Sequence, residues 1–137
     1  MFPRLLVMLG LAFGAGSLLM APPAAAKIKV DDALMKTLDP DNDGTVDFNE
    51  IKAAAAAEFK RLDKDNDGTL DEKELKGKVK KSAFKKADPD HDGTLDLNEY
   101  TALVEKDFKK ADPDNDGTLD KKELESKKGQ KLLKLVG

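Results

Sequence analysis

The sequence predicts an all-α fold, a compact helical bundle in which four acidic loops recur at a spacing of 24 to 25 residues. The first observation is a twelve-residue pattern, Asp-x-Asp-x-Asp-Gly-Thr-(Val/Leu)-Asp-x-x-Glu, which begins at Asp39, Asp63, Asp88 and Asp112. The second is that only 12 or 13 residues separate the Glu of one loop from the first Asp of the next. That length has room for one helix, so we expect adjacent loops to share single helices.

The first 26 residues have the composition of an export signal. Arg4 supplies a positive charge, Leu5 to Met20 form an apolar run, and Ala24 to Ala26 form a small-residue cleavage site. We therefore expect a signal peptide over residues 1–26, cut before Lys27, and export to the periplasm. An uncleaved membrane anchor is the alternative, because the apolar run falls only slightly short of the ~20 residues that span a bilayer.

Residues 27–137 then form one small domain that carries all four loops. The chain has no cysteine, so no disulfide stabilises the fold even if the protein enters an oxidising compartment. A chain of this length buries only a modest core. The stability of the folded domain must therefore come partly from a source other than disulfides and the apolar core.

The four loops, numbered 1 to 4 along the chain, place Asp at positions 1, 3, 5 and 9, Gly at 6, Thr at 7 and Glu at 12. This is the EF-hand pattern, in which carboxylates, the carbonyl of position 7 and a bidentate Glu surround a hard cation while Gly makes the sharp turn. Position 9 acts directly or through water. Solvated acidic turns would not require Asp, Gly, Thr and Glu at the same positions in every loop. The pattern therefore predicts four metal sites.

The predicted ligands of loops 1 and 2 are Asp39, Asp41, Asp43, Thr45, Asp47, Glu50, Asp63, Asp65, Asp67, Thr69, Asp71 and Glu74. Those of loops 3 and 4 are Asp88, Asp90, Asp92, Thr94, Asp96, Glu99, Asp112, Asp114, Asp116, Thr118, Asp120 and Glu123. His91, at the fourth position of loop 3, is interpreted as a solvated side chain.

The connecting segments differ in stiffness. Ala53 to Ala57 are strong helix formers, and the segment from Ile51 to Leu62 would span roughly 18 Å as a helix. The segment from Tyr100 to Ala111 carries a matching apolar stripe. The middle segment is interrupted by Gly77, and Ser82 could N-cap a new helix, so we expect a bend there.

A bend in the middle segment predicts which loops pair. EF-hand loops associate through a short antiparallel bridge at position 8, which is Val46, Leu70, Leu95 or Leu119 in this chain. We expect loop 2 to pair with loop 3 and loop 1 with loop 4. The tail from Lys131 to Val136 is expected to form a short amphipathic turn that closes the core. The lysines between residues 76 and 86 are interpreted as a solvated face.

Charge alone does not choose the ion. Of the 27 acidic residues, 20 occupy loop positions, five in each loop. Calcium and the lanthanide ions have similar sizes and both prefer oxygen ligands, and the cost of dehydration rises with the charge of the ion. The acidic balance does argue against a nucleic-acid partner.

Three loops begin with the same unusual phrase, Asp-Pro-Asp-(Asn/His)-Asp-Gly-Thr, with proline at Pro40, Pro89 and Pro113. With the signal segment and the short spacing, this phrase resembles the lanmodulin family of periplasmic lanthanide-binding proteins from methylotrophic bacteria. The resemblance implies up to four lanthanide(III) ions of the La, Ce and Nd class, Ca²⁺ as a weaker ligand, and folding on metal binding. It also implies a role in lanthanide uptake and trafficking, with a transient partner in uptake or in a lanthanide-dependent dehydrogenase system. Loop 2 departs from this family, because Lys64 occupies the position at which the family has proline.

Other functions fit the sequence less well. An exported calcium buffer or sensor is the main alternative, although a calmodulin-like sensor needs methionines and only Met35 lies beyond residue 26. Dockerin-like modules generally carry two repeats closed by Asp, whereas each of these four ends in Glu. We expect no enzyme, because six-ligand loops leave no open metal position. We expect a monomer without membrane contact after signal cleavage.

Overall fold

The computed structural model describes residues 27–137, so the signal peptide predicted over residues 1–26 lies outside the described residues. Within that range helices alternate with short strands at the loops. In chain order the elements are α1 (Asp32–Leu38), β1 (Val46–Asp47), α2 (Phe48–Leu62), β2 (Thr69–Asp71), α3 (Lys81–Ala87), β3 (Thr94–Asp96), α4 (Leu97–Ala111), β4 (Thr118–Leu119), α5 (Lys121–Glu125) and α6 (Lys127–Val136). The predicted mostly helical fold with four loops along the chain is confirmed.

The loop sequence itself starts the helix that follows. At the start of α2, the Asp47 carboxylate accepts a hydrogen bond of 2.8 Å from the Glu50 N–H, and Glu50 accepts one of 2.9 Å from the Asp47 N–H. This reciprocal capping box satisfies two N–H groups that lack partners within the helix. Asp96 and Asp120 cap α4 and α5 in the same way. Positions 9 and 12 therefore set the boundary between loop and helix.

Helices α2 and α4 run antiparallel across the core. The rings of Phe48 and Phe108 lie 5.4 Å apart and those of Phe59 and Tyr100 lie 5.7 Å apart, both edge to face. The start of each helix therefore packs beside the end of the other. This arrangement brings loop 1 to loop 4 at one end and loop 2 to loop 3 at the other.

The strands confirm the predicted pairing. Val46 lies opposite Leu119 in an antiparallel pair between loops 1 and 4, and Leu70 lies opposite Leu95 between loops 2 and 3. All four side chains are fully buried. Each bridge therefore couples two loops through the core as well as through backbone hydrogen bonds.

The middle segment bends as predicted, but the new helix starts elsewhere. Gly77 has φ of +85°, in the left-handed region that glycine tolerates best. The prediction of Ser82 as the N-cap is wrong, because α3 begins after Lys80, whose carbonyl accepts from the N–H groups of Ala83 and Phe84. Phe84 is buried, so its packing, rather than a capping side chain, accounts for the start of the helix.

Helix α6 closes the core, as predicted for the tail, and it begins earlier than residue 131. Leu132, Leu133 and Leu135 are buried against α2 and α4, and the Tyr100 hydroxyl donates to the Leu135 carbonyl. The Gln130 amide exchanges hydrogen bonds of 2.6 and 2.9 Å with the backbone of Ile28. The N-terminal end of the domain is thereby fixed to α6. Within residues 27–137, no helix is both long and apolar enough to cross a membrane.

Replacing Gly129 with alanine should destabilise the domain strongly. A Cβ atom there would lie 2.1 Å from the Glu123 carbonyl oxygen and 2.5 Å from the Leu124 Cα atom, both backbone atoms that cannot rotate away. Forcing α6 away from α5 should cost about 1–3 kcal/mol or more of unfolding free energy. Thermal unfolding of the metal-loaded protein measures this cost. Lys128→Ala, on the exposed face of the same helix, is the control, and equal melting temperatures for the two variants would contradict this packing.

Candidate metal centres

Each loop begins where a helix ends. The residues at position 1 are buried Asp side chains whose N–H groups cap the last turn of the preceding helix. Their carboxylates point into the loop, because each accepts a hydrogen bond of 2.9 to 3.0 Å from the N–H of Gly at position 6. These residues are Asp39, Asp63, Asp88 and Asp112.

The turn inside the loops is the same four times. Position 4 has φ of 56° to 58° at Asn42, Asn66, His91 and Asn115, and the glycines at position 6 have φ of 83° to 88°. The Thr at position 7 donates both its N–H and its hydroxyl to the Asp at position 5, at 2.8 Å in every loop. His91 is exposed, in agreement with its interpretation as solvated.

Three carboxylates converge in each loop. In loops 2, 3 and 4 they come from positions 1, 3 and 12, and their oxygens lie within 4.8 Å of one another. The sets are Asp63, Asp65 and Glu74; Asp88, Asp90 and Glu99; and Asp112, Asp114 and Glu123. This convergence brings together half of the six predicted positions in each of these loops.

Loop 1 gathers a different set, Asp39, Asp41 and Asp43 from positions 1, 3 and 5. Glu50 lies outside this cluster, with one oxygen in the capping box of α2. In all four loops position 9 also lies outside the cluster, because its carboxylate accepts from the N–H of position 12. A link from position 9 to an ion through water agrees with this geometry.

The donor set fits a hard cation. Among the described residues, Glu50 Oε1 and Asp112 Oδ1 are buried and have no hydrogen-bond partner. A buried oxygen without a donor loses the stabilisation that water gave it, at a cost of about 1–3 kcal/mol. A cation in loop 1 would satisfy Glu50 Oε1 and a second cation in loop 4 would satisfy Asp112 Oδ1. Every clustered side chain offers the oxygen that calcium and lanthanide ions prefer.

The carboxyl groups at the two ends of a loop have pKa values that shift in opposite directions. At Asp39 and Asp112 burial opposes ionisation, but hydrogen bonds from loop N–H groups, first from Gly44 and Gly117, outweigh it and lower the pKa of each carboxyl. Burial raises the pKa of Glu123, and the nearby carboxylates of the same loop add to the rise. The metal-free loop therefore contains carboxylates that repel one another.

Loop 2 has a hydrogen bond that a proline loop cannot form. The Lys64 N–H donates to Glu74 Oε1 at 3.1 Å, across the loop from position 2 to position 12. Pro40, Pro89 and Pro113 occupy the same position in the other loops and have no N–H to donate. The Lys64 N–H thus competes with a cation for Glu74 in loop 2.

Lys64→Pro should tighten the metal site of loop 2. The substitution removes the competing donor and a nearby ammonium, and it narrows the unfolded ensemble by ~0.4–1 kcal/mol, a factor of about two to five in affinity. The loop should accept proline, because its positions 4 and 6, Asn66 and Gly68, have φ angles of 57° and 83°, close to those of the proline loops. Titration of single-site protein, with the other three loops disabled, measures the change.

Two further variants separate the effect of the Lys64 N–H from the effect of its ammonium group. Lys64→Ala removes the ammonium and keeps the N–H, so it should recover only part of the gain. Pro113→Lys in loop 4 should weaken that loop. An unchanged affinity after Lys64→Pro would show that neither the N–H nor the ammonium competes with the ion.

Sequence reasoning did not single out two buried carboxylates, Glu58 and Asp107, which are 5% and 2% exposed. Glu58 pairs with Lys78 at 2.6 Å, and burial opposes its ionisation less than Arg61 and Lys78 favour it, so its pKa is lowered. Asp107 pairs with Lys131 at 2.9 Å. Both acids stand five residues before a loop and directly before a core phenylalanine. That shared place in the repeat is the signal that could have identified them.

Comparison with known families agrees with the loop geometry. The EF hand model matches residues 56–80, 79–104 and 106–126, which together make more than half of the chain, and the EF-hand domain pair model matches residues 29–58. A comparison with curated proteins gave no match. EF-hand modules typically bind metal ions without catalysing a reaction. With four acidic loops that each gather three carboxylates, the chain belongs to the EF-hand family.

Proposed function

We propose that this protein is an exported, periplasmic lanthanide(III)-binding protein that takes up to four ions and serves lanthanide uptake and trafficking. The observation that carries the proposal is the presence of four loops with five carboxylates each, every loop gathering three of them within 4.8 Å. The resemblance of the three Asp-Pro-Asp loops to the lanmodulin family supports the lanthanide as the cargo. A monomer is the expected form.

The proposed ligands are the side chains at positions 1, 3, 5, 9 and 12 and the carbonyl at position 7 of each loop. The gathered carboxylates provide the first contacts, and the Glu of position 12 would turn from its capping bond to bind through both oxygens. In loop 1 this places Glu50 beside Asp39, Asp41 and Asp43. A bound ion supplies the positive charge that offsets repulsion among these groups.

Calcium binding is the second candidate function. The EF-hand family to which the chain belongs holds calcium through the same oxygen set. Loop 2 favours this reading most, because Lys64 replaces the proline on which the resemblance depends.

Counting ions tests the proposal. The protein is dialysed against equal concentrations of La³⁺ and Ca²⁺, and both metals are then measured by mass spectrometry. We expect up to four La³⁺ per chain, and one fewer for each of Glu50→Gln, Glu99→Gln and Glu123→Gln. Glu125→Gln, outside the loops, is the control. Calcium in most sites of the unaltered protein would reject the lanthanide proposal.

Export requires a separate test. The full chain is produced in a Gram-negative host and the periplasmic fraction is collected by osmotic shock. We expect mature protein whose first residue is Lys27. Full-length protein in the membrane fraction would favour the uncleaved anchor instead.

A further inference from the structure

A groove lies between α3 and α4 and reaches loop 3 at one end, where Pro89 and the clustered Glu99 line it. It consists of two adjoining cavities of about 400 and 440 Å³, which share Ala83, Leu103 and Lys131 among their lining residues. The floor of the groove is apolar and consists mainly of small side chains, among them Ala83, Ala87, Ala102 and the larger Leu103. On the α4 side it follows one helix face from Glu99 to Lys110, a rise of roughly 16 Å.

The rim of this groove is basic. Seven lysines line it, and they are Lys78, Lys80, Lys86, Lys106, Lys110, Lys131 and Lys134. Its acids are Glu99 and Asp107, and Asp107 is already paired with Lys131. Among the described residues, Lys80, Lys86 and Lys106 make no ion pair. The sequence alone does not indicate that these lysines lie together, because they are up to 56 positions apart.

Metal loading changes the charge of the whole protein. Only seven acids lie outside the loop ligand positions, against 24 basic residues, because 20 of the 27 acids occupy those positions. Four trivalent ions add twelve positive charges and would take the formal net charge of the full sequence from -3 to +9, and that of residues 27–137, which lack Arg4, from -4 to +8. A loaded protein of this charge attracts acidic surfaces, whereas the metal-free protein repels them at long range.

We propose that this lysine-rimmed groove docks an acidic amphipathic helix of a partner protein and that it does so when the loops are loaded. The charge change rests on the proposed metal binding. A helix of about eleven residues matches the groove in length. Its apolar side chains would contact the alanine floor while its carboxylates meet the lysines on both rims. The small floor residues allow the close approach of a helix.

Fluorescence anisotropy of a labelled probe tests the proposal. The probe is a synthetic helical peptide of about 15 residues with Glu on one face and Ala and Leu on the other. It is titrated with the full mature protein in La³⁺, in Ca²⁺ and in chelator. We expect binding with La³⁺, weaker binding with Ca²⁺, and none with chelator. A peptide of the same composition with its Glu residues scrambled around the helix should bind about tenfold more weakly.

Matched variants locate the binding surface. Lys86→Glu with Lys106→Glu should weaken binding about tenfold or more, whereas Lys52→Glu with Lys60→Glu on the exposed face of α2 makes the same charge change and should have less effect. Ala102→Trp fills the groove without changing charge and should also weaken binding, in contrast to Ala57→Trp on α2. All six positions are exposed, so the variants should fold, and circular dichroism verifies this.

Several outcomes would overturn the groove as the docking site. Equal weakening by the two charge pairs would show general attraction, and unchanged binding of the groove variants would place the peptide elsewhere. Binding of anionic phospholipid vesicles, without binding of the peptide, would replace the partner helix by a membrane surface. If La³⁺ does not load but the calcium-loaded protein binds the peptide at these lysines, the docking site stands and the lanthanide proposal fails. If both ions load and the peptide does not bind, the docking site alone fails.

Discussion

Chelation of bound metal is expected to abolish most of the helical far-UV circular dichroism of the protein. Each empty loop has five carboxylates at its ligand positions, and burial and neighbouring carboxylates raise the pKa values of Glu50 and Glu123, which indicates that these loops resist further negative charge. Two oxygens, Glu50 Oε1 and Asp112 Oδ1, are buried without partners. A bound cation would offset these costs, so we expect metal binding to contribute directly to the folding free energy.

The helices themselves depend on the loops. Positions 9 and 12 cap α2, α4 and α5, while position 1 caps the ends of the helices that precede the loops. Loss of loop order would therefore expose helix ends as well as ligands. Reloading with metal should restore the signal, and identical helical signals from chelated and loaded samples would show that the core folds without ions.

Lanthanide ions are expected to remain bound in a large excess of calcium, and loop 2 is expected to discriminate least. Raising the ion charge by one adds about 4 kcal/mol of attraction for each carboxylate at ~4 Å and an effective dielectric near 20, but the cost of dehydrating the ion rises as well. The expected preference for lanthanides therefore depends on the resemblance of the proline loops and not on charge alone. Proline at position 2 limits how the first ligand is aimed in loops 1, 3 and 4, whereas Lys64 leaves loop 2 freer and binds Glu74 through its N–H.

The intensity of directly excited luminescence from protein-bound Tb³⁺ measures this selectivity. As Ca²⁺ is added, loop 2 should lose its Tb³⁺ first, and three quarters of the emission, from loops 1, 3 and 4, should remain. In Lys64→Pro, loop 2 should also keep its Tb³⁺, so that the full emission remains. Uniform loss of all four ions at a modest calcium excess would show that the proline loops are not selective.

Much of the fold follows from the sequence because the repeat fixes both loop and helix. The same Asp and Glu residues that predict ligands also cap helices, so the boundaries of α2 and α4 agree with the pattern. The pairing of loops follows from the stiffness of Ala53 to Ala57 and the bend at Gly77. Antiparallel packing of the two long helices then brings Val46 opposite Leu119.

Other features depend on contacts between distant residues and could not be predicted from local pattern. The start of α3 depends on the packing of Phe84 rather than on a cap at Ser82. Lys78 lies within a lysine-rich stretch, yet its ammonium forms an ion pair with Glu58 at 2.6 Å and donates a hydrogen bond of 2.9 Å to the Lys134 carbonyl. The different carboxylate set of loop 1 also has no sequence signal, since its ligand residues are identical in type to those of the other loops.

Titration of the metal-free mature protein with La³⁺ and separately with Ca²⁺, followed by far-UV circular dichroism at buffered free ion concentration, is the most direct test of lanthanide binding coupled to folding. The folding midpoint for La³⁺ is expected at a free concentration far below that for Ca²⁺, with the same final helical signal. Comparable midpoints for the two ions would contradict the lanthanide assignment and leave a calcium buffer as the better description of the protein.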